Sequence, residues 1–339
     1  MSAPIVDRSP RDDGFAMPAE WGPHQATLLS WPTRTRAALW GELFEEAERD
    51  YAAVANAIAD FEPVVVVVDP PQASEARAHL RDDIEVLPNP IDDSWIRDNG
   101  PIFVTDGRGR VAAVDFRFNG WGGRYEPYDR DDALPAALAA HFGVDRYEIP
   151  LVLEGGAFGV DGEGTLLTTE QCLLSPNRNP TLSRGEIEET LKASLGVDVV
   201  VWMPHGWSQT RDTDGHVDGI ALFAAPGHVL LLAPAAPGDP DHPLSVANRA
   251  VLEATPDARG RAIQTTGVDP GAPADIPLLN VYLANGAVIA PTGAGPADEV
   301  VAAHLRAAFP DREVVQVPGR VLHEGGGGPH CITQQVPAA

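Results

Sequence analysis

Four times along this chain, two short apolar runs flank a tight turn containing glycine. They are PIFVTDGRGRVAAVDF, GAFGVDGEGTLLTTEQC, GIALFAAPGHVLLLAP and NVYLANGAVIAP, with turns at Asp106-Gly107, Asp161-Gly162, Pro226-Gly227 and Asn285-Gly286. Asp-Gly and Asn-Gly pairs supply the positive φ that a tight hairpin requires. The turns recur roughly every 55 to 65 residues, which is room for a hairpin, a helix and one further strand per unit. A fifth unit is expected from ATLLSWP and VVVVVDP near the start together with the closing HCITQQV. The chain therefore folds as repeated α/β units around a central axis, with site residues gathered from several of them.

Helices are expected between the hairpins. From about Leu39 to Ile58, Leu43, Ala47, Tyr51, Val54 and Ile58 share one helical face. Ser183 and Glu186 form a capping-box pattern, and Gly196 marks the end of that helix. Shorter helices are expected after Pro71, near Asp131 to Phe142, near Ser245 to Glu253, and from Ala297 to Phe309. Nothing resembles a linker, so residues 1–339 are expected to form a single domain, with the first dozen or so residues loosely held. No apolar run is long enough to span a bilayer, and the charged, proline-bearing start does not resemble a signal peptide. A cytoplasmic protein is expected, and a homo-oligomer is left open.

Two cysteines cannot make a disulfide framework, and neither sits in a CxxC metal pair. They differ in setting. Cys331 follows the glycine run Gly325 to Gly328 in HEGGGGPHCITQQ, with His330 beside it; a backbone of that kind can approach a ligand closely. This favours a nucleophile at Cys331 and a structural role for Cys172. His216 and Asp218 are two apart in DTDGHVDG, so an extended strand would point both into one pocket. Glu154 follows the apolar run LVL and precedes Gly155-Gly156, at the expected end of a buried strand. Asp92, Asp93 and Asp98 cluster beside Trp95 and Arg97. Each motif alone also fits a surface turn or an ion pair. Together, a thiol, an imidazole and three converging carboxylates suit a planar guanidinium, whose fixed fork of N–H donors pairs with carboxylates.

The charge balance agrees. The chain carries 24 basic against 49 acidic residues, a formal net charge of −25. That disfavours nucleic acid and anionic membrane surfaces as partners and suits a small cationic substrate.

The segments DGFAMPAEWGPHQATLLSWP, WIRDNGPIFV, LEGGAFGVDGEGTLLTTEQCLLSPNRNP, GHVDG and GGGGPHCITQQ together resemble the agmatine deiminase family, from about Asp13 to Pro337. The resemblance implies a five-bladed α/β propeller, or pentein, fold in the guanidine-modifying superfamily. It further implies Cys331 as nucleophile, His216 as general acid and base, Asp98 and Asp218 gripping the guanidinium, and Glu154 contacting it and orienting His216. Trp95 and Trp121 would line the pocket. No metal or organic cofactor is expected, and the reaction would convert agmatine to N-carbamoylputrescine and ammonia. Arginine or peptidylarginine deimination, or amidino transfer, would use the same groups; a non-catalytic guanidine binder or a cysteine peptidase fits them less well. Two departures stand out. Gly159 replaces a histidine usual in the family, and the stretch from Thr265 to Leu279 differs where the substrate's far end would be read.

Overall fold

All four expected hairpins form, and each gains a third strand running parallel to its second. In this computed structural model the described residues are 3–210, 212–271 and 274–339. The first sheet holds β1 (His24–Ser30), β2 (Val64–Val68) and β3 (Glu85–Pro88). The second holds β4 (Ile102–Thr105), β5 (Val111–Arg117) and β6 (Asp145–Val152). The third holds β7 (Phe158–Val160), β8 (Thr165–Thr169) and β9 (Val199–Met203). The fourth holds β10 (Ala221–Ala225), β11 (His228–Leu232) and β12 (Gln264–Val268), and the fifth β13 (Tyr282–Ala284), β14 (Ala287–Thr292) and β15 (Glu313–Pro318). A last strand, β16 (Thr333–Pro337), returns to the first sheet and pairs antiparallel with β1. The closing segment thus takes the place that β4, β7, β10 and β13 hold in the other four sheets. These are the five α/β blades expected of a pentein propeller.

A parallel pair needs a crossover, and a helix supplies it in each blade: Phe44–Ile58, Leu134–Phe142, Arg184–Leu195, Asp241–Ala254 and Pro296–Ala308, with Ala73–His79 making a second crossover in the first sheet between β2 and β3. Their apolar faces pack on the sheets, as with buried Tyr51, Val54 and Ile58 against Val64 and Val66. All five valines of β2 are buried, which is why that strand shows no polar alternation. Turn chemistry is as expected: Gly107, Gly162, Gly227 and Gly286 lie at φ 64°, 73°, 68° and 79°. The Ser183–Glu186 capping box forms, and Gly196 ends that helix in the left-handed conformation.

One expectation is corrected. The helix expected from about Leu39 is interrupted: Ala37–Trp40 stops at Gly41, whose φ of 56° no helix tolerates, and the long helix begins at Phe44. Ile5 bridges to Tyr147, and Arg11 Nη1 donates to the Val197 carbonyl at 2.8 Å. No helix among the described residues is long and apolar enough to cross a membrane.

Candidate active site

The polar residues of the site come from equivalent places in the five blades, each just ahead of its first hairpin strand. Asp98 lies in the helical turn Ile96–Asn99 before β4, and Glu154 lies between β6 and β7. His216 and Asp218 precede β10, Asn280 precedes β13, and Cys331 precedes β16. The sequence reading placed Glu154 at the end of a buried strand, and it lies two residues beyond β6. It placed His216 with Asp218 on one strand, and the structure corrects that. His216 is extended (φ −48°, ψ 146°), but Val217–Gly219 is a 3-10 turn, so Asp218 reaches the pocket by chain reversal rather than by strand alternation. Asn280 was missed. Its signal was positional: it stands before the LNVYLANG hairpin where the other units carry their acids.

Cys331 is buried. Its Sγ lies 3.4 Å from Asp218 Oδ2 and accepts from Asn280 Nδ2 at 3.1 Å. Burial, then the Asp218 and Asp98 carboxylates, push this thiol well above its ordinary pKa. Gly327 explains part of the glycine run: a Cβ there would come within 2.8 Å of Cys331 Sγ and 2.7 Å of the Trp95 ring. Gly325 likewise lies against the Trp40 ring, 2.1 Å from where its Cβ would be.

His216 is flanked by two acids, with Nδ1 3.9 Å from Asp98 Oδ1 and Nε2 3.8 Å from Glu154 Oε2. Burial opposes its charge, but Asp98, the Cys172 thiol and Glu154 outweigh it and hold its pKa well above the usual histidine value. The three acids are held differently. Glu154 is fully buried and lies 2.6 Å from Arg178 Nε; His216 and Arg178 overcome its burial and lower its pKa. Asp218 is lowered against burial chiefly by its bond to His330. Among the described residues Asp98 accepts hydrogen bonds from Trp121 Nε1 at 2.9 Å and the Gly156 N–H at 3.0 Å. Burial raises its pKa, the His216 charge opposes that rise, and the Asp218 and Glu154 charges add to it.

Both ring nitrogens of His216 and both carboxylate oxygens of Glu154 are buried without a hydrogen-bond partner among the described residues, the Arg178 ion pair being off line for a hydrogen bond. Such groups in a native fold call for a polar ligand. Cys172, taken from sequence as structural, belongs to this cluster. Its sulfur and single ligand atoms of Glu154 and His216 lie within 4.8 Å of one another. The donor set could suit a soft metal ion, but Arg178 already neutralises Glu154.

Trp95 and Trp121 line a cleft with Cys331, Asp98, Tyr125 and Asp212, and a second cleft of about 450 Å³ holds His216, Asp218, Asn280, Thr210 and Cys331. Trp121 adopts φ 54°, a conformation costly for a bulky residue that brings its indole N–H onto Asp98. Of the arginines near the pocket, Arg97 pairs with Glu20, Arg178 with Glu154 and Asp214, and Arg124 with Asp212 and Asp214; Arg211 lies outside the described residues. Gly159 lines a separate pocket on the far side of Asp218, with Trp21, Phe223, Glu20 and His330, and its missing side chain points into open space. The divergent stretch from Thr265 to Leu279 includes residues 272 and 273, outside the described residues; its end packs buried Leu278 and Leu279 beside Asn280.

Several known proteins share this architecture. An agmatine deiminase from Ectopseudomonas mendocina is 43% identical, covering 97% of each chain. The structure of the agmatine deiminase of Enterococcus faecalis superposes with a TM-score of 0.94 at 34% identity, over 99% of this chain and 100% of the other. DDAH from Pseudomonas aeruginosa, at 14% identity and a TM-score of 0.53 over 92% of this chain and 99% of the other, shares the fold. The Porphyromonas-type peptidyl-arginine deiminase family matches residues 16–337, and this chain belongs to that family.

Proposed function

We infer that this protein hydrolyses agmatine to N-carbamoylputrescine and ammonia. The observation that carries the reading is a buried thiol beside three carboxylates and a histidine whose ring nitrogens have no hydrogen-bond partner among the described residues. A guanidinium would bring N–H donors to Asp98, Glu154 and Asp218 and place its central carbon over Cys331. Its positive charge also offsets what keeps the thiol protonated, so substrate binding would favour the thiolate.

Cys331 Sγ then adds to the guanidine carbon. His216, charged through its acidic neighbours, gives a proton to the departing amino group, which leaves as ammonia, and a thiouronium remains on sulfur. The now neutral His216 takes a proton from water as that water attacks the same carbon. Collapse breaks the C–S bond, returns the sulfur and releases the ureido product. One water is consumed and one ammonia released.

The substrate's tail is the finer part of the reading. Relatives at 43% and 34% identity are agmatine deiminases. Here the outer cleft carries Asp212 beside Tyr125, whose hydroxyl donates to it at 2.8 Å, an arrangement suited to a terminal ammonium. An α-carboxylate would instead need a basic partner, and among the described residues Arg97, Arg124 and Arg178 are already engaged by acids. Ammonia release from agmatine, arginine and a C-terminal peptidylarginine, measured side by side, tests this. Equal or better kcat/KM with arginine would overturn the agmatine assignment and leave the deiminase chemistry standing.

A further inference from the structure

His330 takes no step in this chemistry, yet it is buried with a carboxylate at each ring nitrogen. Nδ1 lies 2.9 Å from Asp218 Oδ2, and Nε2 lies 3.1 Å from both oxygens of Glu20. A neutral imidazole has one N–H and one lone pair, and a lone pair facing a carboxylate is repelled. Only the imidazolium donates at both ends. Glu20 comes from the segment before β1 and is itself 3.5 Å from Arg97 Nη1. Arg97 holds the next turn of chain, donating to the His330 carbonyl from Nε at 3.3 Å and to the Cys331 carbonyl from its backbone N–H at 3.2 Å.

We propose that His330 is the positioning residue for Asp218: clamped as an imidazolium between Glu20 and Asp218, it keeps Asp218 ionised and engages Oδ2, leaving Oδ1 for the substrate guanidinium. This rests on Asp218 being a substrate carboxylate. Three acids in one pocket oppose one another's ionisation, and each meets that differently: Glu154 has Arg178, Asp98 has His216 with two neutral N–H donors, and Asp218 has His330. The groups facing His330 are Glu20, Asp218 and Arg97; those facing Asp218 are His330, His216, Asp98 and Cys331. Burial and Arg97 oppose a charge on His330, and Glu20 and Asp218 overcome them, so its pKa is raised. Glu20 is held down at about 2 against burial by His330 and Arg97.

His330→Gln keeps an N–H donor toward Asp218 and removes the charge. Its KM for agmatine should rise about tenfold with a smaller change in kcat, and carbon-13 NMR of aspartate-labelled protein should show the Asp218 carboxylate taking up its proton about one pH unit higher as it loses its cation. A purely structural role would lower Tm or the yield of active protein and leave that titration in place. Nitrogen-15 NMR of histidine-labelled protein gives a second reading that needs no substrate. In the wild type His330 should remain doubly protonated at pH 7.5, and in Glu20→Gln it should lose a proton at lower pH. A singly protonated His330 in the folded wild type, or an unmoved Asp218 titration in His330→Gln, would overturn the clamp. Absent ammonia release from agmatine, with His330 still titrating as described, would count against the proposed reaction and leave the clamp supported.

Discussion

The Asn280 side chain contacts the Cys331 residue through both ends: its amide nitrogen donates to Sγ at 3.1 Å, and its oxygen accepts from the Cys331 backbone N–H at 3.3 Å. The same oxygen accepts from the His330 N–H at 3.1 Å. An amide here favours the thiolate and fixes the loop that carries it. Asn280→Ala should lower kcat about tenfold to a hundredfold, the cost of leaving buried groups unpaired. Asn280→Asp should be worse, because another carboxylate pushes the thiol pKa further up. Alkylation rate against pH checks this: the midpoint should rise in Asn280→Asp.

The free enzyme should alkylate slowly. Burial, Asp218 and Asp98 disfavour the Cys331 thiolate, so a neutral reagent should react slowly at pH 7 and a small amidine-bearing reagent much faster. Fast reaction of the free enzyme with the neutral reagent at pH 6 would mean that the thiolate is preformed, as an ion pair with His216.

Replacing the two cysteines should have unequal effects. Cys331→Ala should abolish turnover while agmatine still binds by calorimetry, since the acids remain. The sequence reading expected Cys172→Ala to be nearly silent. Its sulfur lies with His216 and Glu154, so a loss of roughly fivefold in kcat is expected instead, about the worth of one hydrogen bond. An essential Cys172 with a dispensable Cys331 would reverse the assignment.

The acid side of the activity profile should follow Asp98, whose pKa is raised and which must be ionised to hold a guanidinium. The Trp121 N–H works against that rise. Trp121→Phe removes it, so Asp98 should take up its proton at higher pH and the acid limb of kcat/KM should move upward. A limb that stays put or moves down would show that another group controls it.

Agmatine should exceed arginine in kcat/KM by about a hundredfold or more, because a buried carboxylate without a partner costs several kcal/mol. Side-by-side kinetics decide the point.

The blades were legible because hairpin turns are local: Asn285-Gly286 and Asp161-Gly162 specify their geometry within a few residues. The closing strand was expected as part of a fifth unit with the N-terminal strands, and it pairs with β1 some 300 residues away. Cys331, His216, Glu154, Asp98 and Asp218 stood out through unusual surroundings and family resemblance, and the structure brings all five together. What was not legible depends on long-range approach. Asn280 looks like an ordinary polar residue before a strand, Cys172 like core filler, and Glu20 like surface charge. Their neighbours at the site come from other blades or other segments of chain, so no local pattern announces them.

The strand that closes the first blade is entered directly from Cys331, so ring and nucleophile are completed by one segment. During synthesis the four earlier blades can be made, and four of the five proposed catalytic side chains can be present, while the chain cannot yet attack anything. Chemistry waits for β16 to be made and to dock beside β1. Nascent or prematurely terminated chains would therefore carry an acidic pocket and no reactivity, and thiol reactivity at Cys331 would report on closure of the ring itself.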